Sequence, residues 1–559
     1  MRNRARGHCH RLLLALAPSC NARARCRRSL CPGKRIMATA YVNCTIHTVD
    51  VDRPHATAVL VDGGTFSVVG TDDDIRNAAP PETEFIDLGG LTVIPGLHDA
   101  HTHLLFSGLK FNFEARLTPN AGAKQIAHDL EHCQCASLVD ATEQQWLVGG
   151  EFLPAAFEDG ELDRRFLDEV FPDQPVFLYD YTIHHALVNS KALEIAGLDD
   201  STPDPVGGKF IRRPGTTELT GELVEQATWP VTNAMPKYRP EIDRAALRWA
   251  IDTCHRFGIT SVQEASASPR ALAAMKTLED EDQLNLHIAA HLVWREESFG
   301  QATAAELDES IANRDAFASK HLDTRFVKIW LDGAPLPPHM TQADLDAHGN
   351  VDESNIVVEA QELADVIGRF DAAGLSVKIH CAGEGSVRAA LNAFESVRAR
   401  NGEDGPLHEV AHCTFIHDDD YARFGRNNIV AEMSPAIWHI EEFGLQEGYQ
   451  FRKVLESGTT MTIGSDWIIT PDPNLFPALQ GMLDKGESSV DLETAIRLLT
   501  IEGARVVGRA ETRGSITPGK SADMIVLDRP IFDIPITEVG DTRVLRTVFE
   551  GTTVYDSMG

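Results

Sequence analysis

The chain has 559 residues, a length that suits two or three domains. Of these residues 43% are hydrophobic and 24% are charged, which is typical of a globular protein. Its formal net charge of −32 opposes binding to nucleic acid or to an anionic membrane surface. No uninterrupted apolar segment is long enough to span a bilayer. The cysteines of the main part are scattered, as expected in a reducing compartment, so we expect a cytoplasmic protein.

The first 36 residues differ in composition from the rest of the chain. They contain nine Arg, one Lys and no Asp or Glu. Such a segment is typical of a transit peptide, and its short run of Leu and Ala resembles the core of a signal peptide. We favour a third interpretation, translated upstream sequence with Met37 as the true start, because a strand-like segment follows directly. In each case residues 1–36 are expected to lie outside the fold.

The remainder of the chain is strongly acidic. Without the ten basic residues of the leader it has 41 Lys and Arg against 83 Asp and Glu, a net charge of −42. Together with scarce Lys, this charge indicates a halophilic protein, because dissolved ions screen the repulsion among the carboxylates. An ordinary acidic cytoplasmic protein remains the alternative.

Both ends of this remainder read as short strands joined by turns. Residues 37–95 contain three such strands, with Gly63 and Gly64 as a hairpin signal between two of them, and residues 508–559 have the same character. Each end is too small to form a good core alone. We therefore expect the two ends to pair into one small, discontinuous β-sandwich.

Between the two ends, helices alternate with short apolar strands, the pattern of βα units and a parallel sheet. Eight strand candidates predict an α/β fold, a (β/α)8 TIM-type barrel over residues 96–507. The candidates are the strand at His101 and residues 259–264, 286–293, 326–331, 375–380, 409–412, 429–433 and 459–466.

His101 and His103 stand two positions apart after an apolar segment. Alternate residues of a strand point to the same face, so both imidazoles can bind one divalent metal ion such as zinc. Asp99 would share that face and is expected to orient one of the imidazoles. The alternative, two surface histidines in a loop, is disfavoured by the apolar run at residues 91–94.

Four other polar residues end or interrupt predicted apolar strands: Lys328, His380, His412 and Asp466. The carboxyl ends of barrel strands converge on one mouth, where catalytic groups lie. Each residue alone is also explained as a rim residue or, for Asp466, as a cap. Together with the histidine pair they indicate a metal-dependent site.

The segments around these residues resemble the amidohydrolase superfamily and, within it, amidohydrolase family 3, which includes N-substituted formamide deformylase-like and exoenzyme-regulatory-type proteins. The resemblance runs from about Ala40 to the C-terminus. It is carried by residues 95–103, 327–329, 464–467, 185–193 and 514–523, together with His380 and His412. It implies a metal-bearing barrel, a discontinuous sandwich and an inserted segment near residues 143–240.

The resemblance also implies a role for each polar residue. His101 and His103 match ligands on the first strand, and Lys328 matches a carboxylated lysine that bridges two metal ions. An unmodified ammonium would be a poor ligand, since it has no lone pair. His380 and His412 match ligands of the second ion, and Asp466 matches the acid that binds a metal and moves the proton. The implied cofactor is one or two divalent ions, with zinc expected.

The implied activity is hydrolysis of a carbon–nitrogen bond other than a peptide bond, by attack of a metal-activated hydroxide on a small amide, N-formyl or N-acyl compound. A non-catalytic regulatory or binding protein, and a cyclic-amide hydrolase or deaminase, are the alternatives. Association of identical chains is left open. The candidate substrate contacts are His184, His185, Asp332, Glu384 and Trp467. For His184 and His185, a polar turn before a helix is an equally good explanation.

Overall fold

Eight parallel strands form the centre of the molecule. The computed structural model describes residues 38–133, 138–158, 162–435 and 444–558, so the leader prediction falls outside the described residues. The barrel strands are β1 Leu97–Thr102, β2 Ile259–Ala267, β3 His287–Val293, β4 Leu322–Trp330, β5 Ser376–Cys381, β6 His408–His412, β7 Ile429–Met433 and β8 Met461–Ile463.

The strands lie side by side in chain order, and each pairs in parallel with the next. The seam between β8 and β1 is held by the segment after β8. There the Asp466 N–H donates to the His101 carbonyl at 2.8 Å, and Thr102 pairs with Trp467. This near-closure confirms the predicted α/β barrel and brings the ends of the first and last strands together.

Helices cover the outside of the barrel. Pro240–Arg256 is typical: a proline opens it, and Leu247, Ala250 and Cys254 are buried on one face. The helices from β1 onward are Leu104–Asn112, Ala123–Glu131, Arg165–Val170, Ser190–Ile195, Trp229–Ala234, Pro240–Arg256, Pro269–Asp280, Glu297–Gly300, Ala304–Ala312, Ala360–Ala372, Glu384–Asn401, Tyr421–Arg426, Phe451–Glu456, Phe476–Leu483, Leu492–Leu498 and Ile501–Val506.

Two further sheets combine the ends of the chain, as predicted. Thr92–Pro95 pairs antiparallel with Met524–Leu527, and side chains of both sheets, among them Tyr41 and Val548, share one core. The four-stranded sheet has the order Thr65–Gly70, Ala58–Asp62, Thr39–Val42, Glu84–Asp87, and the helix Asp72–Ala78 follows its edge strand. The six-stranded sheet has the order Thr552–Asp556, Val544–Phe549, Met524–Leu527, Thr92–Pro95, Thr45–His47, His55–Ala56.

A third sheet is formed by the chain between β1 and β2. It brings His184 and Glu225 to the mouth of the barrel, where both line a cavity with Trp330 of β4. The order of strands in this sheet is Gly208–Arg212, Leu219–Glu225, His185–Val188, Val176–Asp180, Leu147–Phe152, Ala115–Arg116.

Among the described helices, none has the length and apolar character needed to cross a membrane.

Candidate metal centre

Three buried side chains converge where β1 and β8 end. His103 Nε2 lies 3.3 Å from Asp466 Oδ1, and His101 Nε2 lies 3.7 Å from the same oxygen. One ligand atom from each of the three residues lies within 4.8 Å of the other two. Two imidazoles and a carboxylate at this separation fit a divalent ion such as zinc.

The backbone at this site is unusual in two places. Asp466 has φ 50° and His412 has φ 67°, both in the left-handed region. Asp and His tolerate this region better than most residues that carry a side chain. Such conformations persist only where the surroundings hold them, and they cluster at functional sites. At Asp466 the hydrogen bond to the His101 carbonyl supplies part of that hold.

Each imidazole of the histidine pair is oriented through its other ring nitrogen. His101 Nδ1 lies 2.6 Å from Glu432 Oε2, and His103 Nδ1 lies 2.7 Å from the Ser266 hydroxyl. Both rings therefore present Nε2 to the centre, the arrangement usual for ligand histidines. Neither partner was predicted from sequence, although Glu432 interrupts an apolar strand in the same way as Lys328 does.

The predicted role of Asp99 was wrong. Its carboxylate accepts the backbone N–H groups of His101, at 3.1 Å, and of Ser465, at 2.9 Å, as well as the Ser465 hydroxyl. Asp99 thus fixes the backbone of β1 against the segment after β8, and it does not orient an imidazole. Strand periodicity does not reveal that Asp99 bonds to Ser465, which lies in the segment after β8, far away in sequence.

His380 and His412 lie next to the pair. Their ring centroids are 4.4 Å apart, and the His412 ring is 4.5 Å from that of His101. Burial lowers the pKa of His101, His380 and His412 well below the usual value. The neutral imidazoles that this favours keep a lone pair for a metal ion.

Lys328 completes the group. Its Nζ lies 3.3 Å from His101 Nε2 and 4.8 Å from the centroid of the Trp330 ring, and its side chain is fully buried. Burial, and after it the charge of Lys378, lowers the pKa of Lys328 to about 7. The structure thus brings all six candidate ligands into one neighbourhood at the mouth of the barrel.

A cavity of about 330 Å³ opens between the barrel mouth and the third sheet. His184 lines it, with Nδ1 2.9 Å from Glu225 Oε2 and its ring centroid 5.4 Å from that of His380. The other Glu225 oxygen accepts the Thr341 hydroxyl at 2.5 Å. This size suits a small molecule, and the position of His184 makes it the predicted substrate contact with the strongest geometric support.

His185 and Asp332 lie close to the cavity in other roles. His185 is buried behind its neighbour, with its ring centroid 5.0 Å from that of His339. The Asp332 carboxylate accepts the backbone N–H groups of Ala382 and Gly383, each at 3.0 Å, as well as that of Ala343. Asp332 therefore holds together the loops that follow β4 and β5, although it borders the cavity.

Glu384 and Trp467 are not among the residues that line this cavity. Glu384 is the first residue of the helix Glu384–Asn401. Trp467 is completely buried and stacks on Phe111 and Trp249, with ring centroids 6.4 and 6.0 Å away. The position of Trp467 beside Asp466 in sequence suggested a role at the site, but its side chain belongs to the core behind it.

Comparison with known proteins agrees with this geometry. The model of the family described as "Amidohydrolase family" matches residues 84–555. The chain is 27% identical to an N-substituted formamide deformylase of Arthrobacter pascens, over 93% of this chain and 98% of that protein. It is also 27% identical to the protein LONG AFTER FAR-RED 3 of Arabidopsis thaliana, over 94% and 93% respectively.

Among solved structures, an uncharacterized metal-dependent hydrolase from Pyrococcus furiosus has the same fold. Its TM-score is 0.67 at 21% sequence identity, with 88% of this chain and 99% of that chain covered. The extent of the family match, the barrel with its composite sandwich, and the two histidines and aspartate at the mouth agree with one another. The chain belongs to the amidohydrolase family.

Proposed function

We propose that the chain is a metal-dependent hydrolase of carbon–nitrogen bonds other than peptide bonds, with a small amide, N-formyl or N-acyl compound as substrate. The observation that carries the proposal is the convergence of His101, His103 and Asp466 beside a cavity at the barrel mouth. The similarity to an N-substituted formamide deformylase along nearly the whole chain supports the type of bond.

The donor set fits the proposed cofactor, one or two zinc ions. His101 and His103 each offer an Nε2 atom, because Nδ1 of each ring already has a hydrogen-bond partner. Asp466 offers a carboxylate oxygen. His380 and His412 are proposed to hold the second ion. A divalent ion at such a site polarises a carbonyl group and lowers the pKa of a bound water.

Lys328 needs a chemical change before it can join this set. As an ammonium 3.3 Å from His101 Nε2, it donates to the lone pair that a metal ion requires. The neutral amine can attack carbon dioxide, which forms a nitrogen–carbon bond and releases one proton, and the product carries a carboxylate. Because the pKa of Lys328 is lowered to about 7, mainly by burial, much of the amine is neutral near that pH. We propose that Lys328 is carboxylated in the active protein.

Asp466 is proposed to move the proton. Its Oδ1 faces His103 Nε2 at 3.3 Å, and its Oδ2 lies 4.0 Å from His412 Nδ1, so the carboxylate stands between the two groups of ligands. A carboxylate at this position can accept a proton from the attacking water and then give it to the departing amine nitrogen. One residue thereby serves as general base and then as general acid.

His184 is proposed to bind the substrate. Glu225 fixes its ring through Nδ1, which leaves Nε2 for a substrate group. Burial alone would lower the pKa of His184, but the charge and hydrogen bond of Glu225 raise it overall. The protonated ring can donate a hydrogen bond to a carbonyl or carboxylate oxygen of the substrate. His184→Ala should therefore raise KM more than it lowers kcat, as measured by steady-state kinetics on the best substrate.

The proposal is tested by screening zinc- and bicarbonate-loaded protein against N-formyl, N-acyl and cyclic amides. We expect hydrolysis of at least one class, abolished by a chelator and restored by zinc. His101→Ala should show none of this activity. A folded protein that binds stoichiometric metal at the mouth and turns over none of the three classes would favour a regulatory or binding role instead.

A further inference from the structure

A second group of histidine and carboxylate side chains lies at the opposite end of the barrel from the candidate metal centre. His287 is the first residue of β3, and His321 directly precedes β4. Glu550 comes from the C-terminal part of the sandwich, and its ligand atoms lie within 4.8 Å of those of the two histidines. Because strands β3 and β4 begin here, this site is on the floor of the barrel, away from the mouth.

Buried polar atoms without a partner mark this floor site. His287 and Asp523 are each 5% exposed. Among the described residues, the ring nitrogens of His287 and the Asp523 Oδ2 atom make no hydrogen bond of good geometry. The contact that joins them, from His287 Nε2 to that oxygen, is 3.3 Å long. Buried polar groups are almost always satisfied. A cation bound to His287 would give one of its ring nitrogens a partner.

His321 has the arrangement expected of a ligand histidine. Its Nδ1 lies 2.9 Å from Glu279 Oε2, and its Nε2 lies 3.3 Å from Glu550 Oε1. A carboxylate on one nitrogen that orients the other toward a metal is the usual pattern at such sites. Glu550 is held as well, since its backbone N–H donates to Asp523 Oδ1 at 2.8 Å and its side chain pairs with Lys320.

We propose that His287, His321 and Glu550 bind one divalent transition-metal ion of the zinc type, which fastens the floor of the barrel to the sandwich. Two imidazoles and one carboxylate are a set of three protein ligands that zinc accepts, with a fourth position left for a water molecule. Imidazole ligands favour zinc over magnesium or calcium. The competing arrangement is a proton on His321 shared between Glu279 and Glu550, within an ion-pair network that includes Lys320 and Arg513.

The experiment counts zinc ions per chain and measures the melting temperature of the full-length protein after chelation and after reloading with zinc. The variants are His321→Gln and, should it fail to fold, Glu550→Gln, whose side chain is partly exposed. Lys320→Gln is the matched control, because it changes the same network without removing a ligand. Each ligand variant should lose one zinc equivalent relative to wild type, whereas the control should lose none.

Zinc at the floor should contribute about 2 °C to the melting temperature of wild type at a hundredfold excess over the dissociation constant, so the rise on zinc loading should be smaller by that amount in the ligand variants. In the double variant His101→Ala/His103→Ala, which removes mouth ligands, at least one zinc equivalent should remain, and adding His321→Gln should remove one. Equal zinc content and equal stabilisation in wild type and His321→Gln, or no remaining zinc in the double variant, would overturn the proposal in favour of the shared proton.

Discussion

The mouth of the barrel and the layer below it each bury a lysine, and the surroundings of the two lysines differ. Lys328 on β4 and Lys378 on β5 are paired in register, and both are completely buried. Lys378 donates to the Ala100 carbonyl at 2.6 Å and lies 3.4 Å from Glu409 Oε2. Lys328 has no ion-pair partner among the described residues, and its Nζ lies 3.3 Å from His101 Nε2.

This difference separates a structural charge from a reactive one. A buried ion is tolerated when an opposite charge and hydrogen bonds compensate it, as they do for Lys378. Lys328 has no such direct partner. Burial, and after it the charge of Lys378, lowers the pKa of Lys328 to about 7, and the carboxylates of Glu432 and Asp466 offset only part of this shift. The lower layer therefore does more than support the mouth, because its charge makes the amine above it easier to deprotonate.

The largest expected effect follows removal of a mouth histidine. His101→Ala or His103→Ala should lose the mouth metal and all detectable turnover, because two of the three converging ligands belong to this pair. His291→Asn is the control from the lower layer, where the ring lies 3.4 Å from Glu409. It should lower the melting temperature while metal content and turnover per folded molecule stay close to wild type. If His291→Asn lost as much metal as the mouth variants do, the mouth and the lower layer would not differ in metal binding.

The next effect concerns the proton at Asp466. Asp466→Asn keeps the size and one oxygen ligand but cannot carry a proton, so kcat should fall by at least ~10²-fold with fold and metal retained. Asp491→Asn is the control, because that carboxylate only caps the helix Leu492–Leu498 through the Thr494 N–H. Asp491→Asn should lower the melting temperature and leave kcat unchanged. A metal-loaded Asp466→Asn protein with normal kcat would contradict the proposed role.

Replacing Lys378 and Lys328 in turn tests directly whether the two lysines have different roles. Lys378→Met leaves Glu409 buried without its partner and should cost roughly 3–5 kcal/mol of unfolding free energy. Lys328→Met removes a buried amine that has no direct ion-pair partner, so it should keep stability but lose one metal equivalent and activity. Denaturant unfolding and metal analysis separate the two outcomes. Added formate or acetate should restore part of the activity of Lys328→Ala if a carboxylate is what the site lacks.

A smaller effect is expected in the pH dependence of reactivation. The folded pKa of Lys328 lies below the usual lysine value, so its neutral fraction grows as the pH rises through about 7. Reactivation of metal-free protein by zinc and bicarbonate should accelerate over the same range. In Lys378→Met the midpoint should move upward, because the neighbouring positive charge is gone. A rate that does not change across this range would argue against carboxylation.

The smallest effect should come from salt. The acidic balance of the main part of the chain acts over the whole surface, so molar KCl should raise the melting temperature by a few degrees through screening. Turnover at the buried mouth should respond far less, because buried charges are screened weakly. A melting temperature that is indifferent to salt would reject the halophilic interpretation.

Much of the fold could be predicted from sequence because its signals are local. Each predicted barrel strand is an apolar run, and polar residues such as His380 and Asp466 stand out at its end. The composite sandwich followed from two ends that could not form a core separately. The inserted sheet was harder to define, since its first strand, Ala115–Arg116, has only two residues.

The contacts within the site depended on pairs that are distant in sequence. Glu432 and Ser266 orient the two mouth histidines from strands β7 and β2, and no local pattern joins them to those histidines. Trp467 illustrates the opposite error, because its position beside Asp466 says nothing about the direction of its side chain. The His184 and His185 pair was resolved only by the fold, which turns one ring to the cavity and buries the other.

The most direct test of the central claim is anomalous X-ray diffraction at the zinc edge, from crystals of active, zinc-loaded protein. The proposed function predicts a peak about 2.0–2.2 Å from His101 Nε2, His103 Nε2 and an Asp466 carboxylate oxygen. Continuous density from Lys328 Nζ toward that peak would identify the carboxylated lysine. Active crystals with no anomalous peak between these three residues would contradict a metal-dependent site at the mouth of the barrel.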